Sequence, residues 1–392
     1  MSYLHLIKEK LYNYFLRVLP LQDKVVFCNF FGRGLGDDPK YIVLALKKIN
    51  PKIKLYWVTD GKLNVGLPMG IFPLKLWSRE YFYHLATSKV WVFNIKNLQK
   101  TKKKKGQLYI QTWHASISLK QVEQDVEQSL TPEYVMASKE DSNLIDLMYS
   151  NNDFQSKKYK TVYWYHGLVL RCDVPRESVL LNPPSTLRSQ VLATYGVEED
   201  VKIVLYAPTF RKGFDDICVY SWNYLKVTDA LSQKFGGKFI MFLRLHPNVA
   251  NLSNEIHYDK NVISVTDYPD MQELLAIADV MINDYSSSMF EFGLLLKRPV
   301  FLLAKDLVEY TSSDRTLEFS LDELPFPLSV SEDGLLDRIE NFDELEYLEK
   351  LKDFNRKIKM TDSGKGDFYI ANMINDYVTK GRINEFDSKN NK

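Results

Sequence analysis

The chain has 392 residues, 45% hydrophobic and 26% charged, a length that calls for two cores rather than one. Its 51 basic and 50 acidic residues leave a formal net charge of +1, which argues against a broad nucleic-acid field and confines any anion site to a local cluster. The three cysteines, Cys28, Cys172 and Cys218, stand far apart with no CxxC pair, so they read as free thiols and argue against a disulfide framework or zinc site.

Residues 1–22 repeat apolar side chains at helical spacing (Leu4, Ile7, Leu11, Tyr14, Phe15, Val18) with Lys8, Lys10 and Arg17 on or beside the other face, and Pro20 ends the pattern. Two readings fit it: a helix packed on its own domain, or an interfacial helix on anionic lipid, to which the basic run Lys100–Lys105 would add attraction. No apolar run reaches the ~18 residues of a membrane span, and the N-terminus lacks a signal-peptide pattern, so a cytoplasmic location is expected.

Beyond this segment, apolar and β-branched runs alternate with helical patterns, which predicts parallel α/β sheets covered on both faces. Strands are expected in KVVFCNF, IKLYWVTD, KVWVFN, QLYIQTW and YVMAS, then in KIVLYAPT, KFIMFLRLHP, NVISVT, DVMIND and RPVFLLA. Helices are expected in SWNYLKVTDALSQKF and DMQELLAIA. A proline-rich stretch from Asp173 to Gly196 separates the halves. The expected organisation is therefore an N-terminal α/β domain over 23–175, a C-terminal α/β domain over 176–380 and a polar tail over 381–392.

Doubly wound sheets gather ligands outside the carboxyl ends of their strands. Chemically capable residues stand at many of those ends. Gly32, Gly34, Gly36 and Asp37 follow the first strand, and His114 closes YIQTWH. In the second half Arg211 follows YAPTF, Arg244 and His246 close FLRLH, and Asp284 precedes Ser286, Ser287 and Ser288. The serines open a helix, where unpaired N–H groups suit phosphate, although serines also cap helices routinely. Arg244 and His246 share one side of an extended segment, where they suit a diphosphate. The glycines do not match GxGxxG, and no Walker P-loop, nucleophile elbow, HExxH or EF-hand loop is present. His5, His84 and His257 have no supporting neighbours, and His166 is a weak candidate at another strand end.

In order along the chain, GRGLGDDPKYI, YIQTWHASISLK, YAPTFR, RLHP, YPDMQELLAIADVMINDYSSSMFEF, RPVFLLAKDLVEY, ELPFPL and ENFDELEY resemble the CDP-glycerol glycerophosphotransferases of teichoic-acid and capsule synthesis. The resemblance implies a GT-B-like fold, two Rossmann-like domains facing across a cleft, with the donor in the C-terminal domain. It implies transfer of an alditol phosphate from CDP-glycerol or CDP-ribitol to a hydroxyl of a lipid-linked or polymer acceptor, with release of CMP, at the inner membrane face. His114 corresponds to the histidine of the family's WHG motif and is the expected base; His246 corresponds to that of RxHP, and Ser286 and Ser287 to the DYSS serines. Arg211, Arg244, Asp284 and Ser288 are expected on the donor phosphates, and Gly32, Gly34, Asp37 and Lys120 on the acceptor side. The chain departs from the family form at Ala115, in SISLK, where the acceptor is expected to be read, and around Arg176. No cofactor is called for; no DxD pair stands near a strand end, and the cationic groups are an alternative to a divalent metal. A nucleotide-sugar glycosyltransferase and a non-catalytic membrane scaffold remain open on the same architecture.

Overall fold

The computed structural model describes residues 15–62, 66–97, 102–211, 220, 222–246, 249, 260–314 and 316–383. Most of the N-terminal helical pattern, Lys100 and Thr101 of the basic run, Cys218, His5, His257 and the tail beyond 383 lie outside that set.

Two all-parallel sheets form the frame. The first contains β1 (Gln22–Cys28), β2 (Lys54–Thr59), β3 (Ile71–Lys75), β4 (Ser88–Phe93), β5 (Leu108–Gln111), β6 (Leu147–Ser150) and β7 (Leu168–Arg171) in the order β3-β2-β1-β4-β5-β6-β7. The second contains β8 (Lys202–Tyr206), β9 (Phe239–Leu243), β10 (Val262–Ser264), β11 (Val280–Asn283), β12 (Val300–Leu303) and β13 (Leu328–Ser329) in the order β10-β9-β8-β11-β12-β13. The strands are continuous apolar runs because both faces are covered: Val25 and Phe27 point into one core, Val26 and Cys28 into another across the sheet. In each sheet the winding reverses once, between β1 and β4 and between β8 and β11. Those two switch points are where a doubly wound sheet opens a crevice.

Three sequence expectations are corrected. Tyr134–Ser138 is not a strand but lies inside the helix Pro132–Ser142, started by the Thr131 side chain accepting from Tyr134 N–H and by Pro132 in the first turn. β3, β6, β7 and β13 were not expected as strands, and the possible strand ending at His166 is absent, with Leu168–Arg171 paired after it instead; β3 carries Pro73, tolerated because β3 is an edge strand. The second domain does not run to residue 380. The helix Gly366–Lys380 packs on the helix Asp37–Ile49, and its Ile370, Ala371, Met373, Ile374 and Val378 belong to the core of the first sheet.

The chain thus crosses between domains twice. Val174 lies in the first core and Val179 and Leu180 in the second, so the outward crossing falls at Pro175–Ser178. The return crossing presses on the outward one: Val174 N–H donates to Asp362 Oδ2 at 2.9 Å, and a Cβ on Gly366 would stand 2.6 Å from the Val174 carbonyl carbon. Only glycine fits there.

Candidate active site

At the first switch point, the ends of β1, β4 and β5 meet around one asparagine. Asn94, directly after β4 and fully buried, accepts from Phe30 N–H with its side-chain oxygen at 2.9 Å. Its amide donates to Asn29 Oδ1 and Asp37 Oδ2, both at 2.7 Å. Its main-chain carbonyl takes His114 Nδ1–H at 3.0 Å. That bond assigns the proton to Nδ1 and leaves Nε2 as the basic nitrogen. Burial lowers the His114 pKa from its ordinary value; the Asn94 bond and Asp37 push upward, and Arg176 adds to the lowering. A neutral imidazole with Nε2 unprotonated is the form a general base requires.

The ring is also fixed by contact, stacked on Trp113 at 4.4 Å and tilted against Phe30 at 5.2 Å. Trp113 takes φ +58°, so the chain breaks sharply out of β5 two residues after it ends. Phe30, Phe31 and Asp37 also have positive φ, at 39°, 58° and 56°. Bulky side chains in this region cost energy, and the gathering of four such residues marks a strained strand tip. Gly32 is required by proximity as well: at φ +87° its Cβ would stand 2.6 Å from Asp60 N and the Thr59 carbonyl carbon. Gly34, at φ +68°, faces open space. Its carbonyl accepts from the Trp57 indole N–H at 3.2 Å.

Opposite this tip, His246 is exposed on the second domain and stacks on Phe210 at 5.8 Å. Its pKa is lowered to about 4, first by burial of its surroundings, then by Lys120, Arg244 and Arg33. Lys120 and Arg33 come from the first domain, so both domains send cations to one wall of the cleft. Arg244 donates to the Tyr268 carbonyl at 2.6 Å. Lys120 Nζ lies 5.5 Å over the ring of Tyr310, which stacks on Tyr285 at 3.7 Å. Ser286, Ser287 and Ser288 follow Tyr285, half-buried, with the Ser286 and Ser288 hydroxyls 3.0 Å apart. Ser287 heads the helix without making a side-chain capping bond. Among the described residues no group of three or more His, Cys, Asp or Glu side chains is arranged to hold a metal ion.

Several candidate residues serve the frame instead. Arg211 is buried, donating to Asp306 (2.6 and 3.1 Å), Asp284 (2.8 Å) and the Thr209 carbonyl (2.6 Å), with Tyr285 and Tyr310 on its faces at 4.7 and 5.0 Å. Asp284 also accepts from Thr209 N–H. In this structure the pair ties β8 to β11 at the second switch point. Asp37 likewise accepts from Asn94 and from Arg176, at 2.7 and 2.8 Å, and so forms part of the frame behind His114. The loop after His114, where the sequence departs from the family form, turns inward. Ser116–Leu119 is buried, Ile117 and Leu119 lie in the second domain's core, and Lys120 bridges antiparallel to Leu317. His166 stands exposed before β7, not at its carboxyl end.

Sequence reasoning missed Asn94, Arg33 and Glu291. Asn94 carried a visible signal, as the polar residue ending the apolar run KVWVFN.

The sequence profile of the family described as CDP-Glycerol:Poly(glycerophosphate) glycerophosphotransferase matches residues 11–376. The chain is 30% identical over 365 residues to a teichoic acid poly(glycerol phosphate) polymerase of Staphylococcus epidermidis, covering 89% of this chain and 50% of that one. It is 27% identical over 388 residues to a teichoic acid glycerol-phosphate transferase of Staphylococcus aureus, covering 94% and 97%. It therefore spans about half the length of the first relative and nearly all of the second. Among solved structures, the wall teichoic acid polymerase TagF superposes with a TM-score of 0.81 at 28% identity, over 96% of this chain and 95% of that chain.

Proposed function

The chain belongs to the CDP-glycerol:poly(glycerophosphate) glycerophosphotransferase family, and on that premise we propose that it transfers an alditol phosphate from a CDP-linked donor to an acceptor hydroxyl in teichoic acid synthesis. The acceptor oxygen attacks the phosphorus nearest the alditol. A new P–O bond forms as the bond to the bridging oxygen breaks, CMP leaves with that oxygen, and the hydroxyl proton passes to His114 Nε2. His246, Arg244, Arg33 and Lys120 form the cationic wall for the diphosphate, with Ser286–Ser288 as hydroxyl donors at the head of a helix. The observation that carries the reading is the His114 Nδ1–H bond to the Asn94 carbonyl, which presets the tautomer a base needs.

We read the acceptor as lipid-linked, met at the membrane's inner face. Phe15 and Val18 are 53% and 63% exposed beside the lysine-rich turn, and no helix among the described residues is long and apolar enough to cross a membrane. The test is a donor screen, CDP-glycerol and CDP-ribitol against UDP-sugars, with the nucleotide product and the acceptor mass recorded. CMP release with an added alditol phosphate is expected, and UDP release would overturn the reading. In the same assay His114→Ala should lose ~10²–10⁴ in turnover with donor affinity kept.

A further inference from the structure

Behind His114 lies a buried arginine that touches both domains. Arg176 sits in the outward crossing and is 2% exposed. Its Nη1 donates to Asp37 Oδ1 at 2.8 Å, in the first domain. Its Nε and Nη2 donate to Glu291 Oε1 at 2.9 and 2.6 Å, in the second. Nη2 also donates to Ser116 Oγ at 2.9 Å, two residues beyond His114.

At both ends this fork meets the reacting groups. Asp37 Oδ2 accepts from Asn94, whose carbonyl holds His114. Glu291 lies one turn along the helical segment that Ser287 and Ser288 head, at the start of the π-turn Glu291–Leu295. The π-turn is held locally by Gly293, where a Cβ would stand 2.4 Å from Phe326. Such insertions turn a side chain out of register and recur at functional positions. Hydrogen bonds therefore run from His114 through Asn94, Asp37 and Arg176 to Glu291, and the Ser116 arm joins the loop after the base to the same fork.

We infer that Arg176 is a positioning residue: it holds the base at a fixed setting from the serine-headed helix of the donor domain, so that domain seating and base orientation are one event. The inference rests on the reading of His114 as the base. A lone lysine ammonium could not span these partners, because only a planar guanidinium presents donors on three sides at once. The other groups packed around the fork are Asp38, which accepts Arg176 N–H at 2.8 Å, and Glu177, which takes the Ser116 hydroxyl.

The test uses the full chain with Arg176→Lys and Glu291→Gln, the second replacing a charge by a nearly isosteric amide. In CMP release from CDP-glycerol with acceptor, each is expected to lower kcat by about 10- to 100-fold, the scale of a small misplacement of reacting groups, with donor KM within about twofold. In a His114→Ala background Glu291→Gln should add no further loss. Equal factors in both backgrounds would overturn the inference, as would an unchanged kcat. A readout independent of turnover is the ¹⁵N NMR of the His114 ring. Its Nδ1–H tautomer should give way to a mixture in Arg176→Lys, and unchanged ring shifts would overturn the relay. Absence of CMP release by the wild-type chain with every CDP-alditol, alongside a shifted tautomer, would count against the proposed reaction and support the relay.

Discussion

Replacing Arg211 distinguishes a frame residue from a phosphate ligand. In Arg211→Met the aliphatic volume is largely kept, but four hydrogen bonds to Asp284, Asp306 and the Thr209 carbonyl are lost. Asp284 is 2% exposed in its side chain and would be left as a buried carboxylate without its cation. Breaking a buried pair from one side costs about 3–5 kcal/mol. At roughly 2–4 °C per kcal/mol for a domain of this size, the melting temperature should fall by about 6–20 °C. Differential scanning calorimetry reads that shift, and Arg211→Met combined with Asp284→Asn should recover part of it. Donor affinity, measured by titration calorimetry at a temperature where both proteins are folded, should change by less than about tenfold, or 1.4 kcal/mol. A melting temperature within about 2 °C of wild type together with a larger loss of donor affinity would refute the argument and return the guanidinium to the diphosphate.

Three other outcomes are expected. Gly32→Ala meets backbone at 2.6 Å and should reduce both stability and turnover, whereas Gly34→Ala faces open space and should cost only the ~1–2 kcal/mol of a left-handed residue; equal effects in thermal melts would contradict this difference. Burial raises Asp38 to about 8, opposed by Arg176 and reinforced by Asp37 and Glu291, so its stabilising share is complete below about pH 4 and is lost as pH rises through 8; Asp38→Asn should therefore gain on wild type as pH rises from about 4 to 8, and parallel melting curves would argue against it. His246, at about 4 in the free protein, should take up a proton when a diphosphate offsets Lys120, Arg244 and Arg33. Donor affinity should therefore tighten on acidification between pH 7 and 6, by at most about tenfold, the limit for uptake of one proton over one pH unit; calorimetry in buffers of different ionisation enthalpy would show no proton uptake if the wall does not meet the donor.

The legible part of the fold follows from burial on both faces. The runs that became β1, β2, β4, β5 and β8–β12 are apolar without alternation, and only such runs survive inside a parallel sheet. Tyr134–Ser138 failed because its aromatic and β-branched residues were weighed above Thr131-Pro132, a start signal that fixes the backbone before side-chain preference acts. β3 was hidden by Pro73, and an edge position is a tertiary fact. In the site, residues at strand ends were visible one by one, but their partners were not. Arg211 meets Asp284 and Asp306, and Arg176 meets Asp37 and Glu291, across separations of 73 to 139 residues that no local pattern reports. An arginine after a strand looks the same in sequence whether it faces a ligand or two carboxylates.

The placement of the helix Gly366–Lys380 has a consequence for synthesis. As the chain leaves the ribosome, the strands of the first sheet appear early, yet one flank of their core lacks Ile370, Met373 and Ile374 until nearly all of the second domain has been made. The second domain, encoded later, is the first able to close its core, and Tyr41, Ile117 and Leu119 are already available to join it. Vectorial synthesis normally favours the N-terminal unit. Here the order of core completion inverts: the second core has its last buried residue at Met360, before Ile370, Met373 and Ile374 complete the flank of the first.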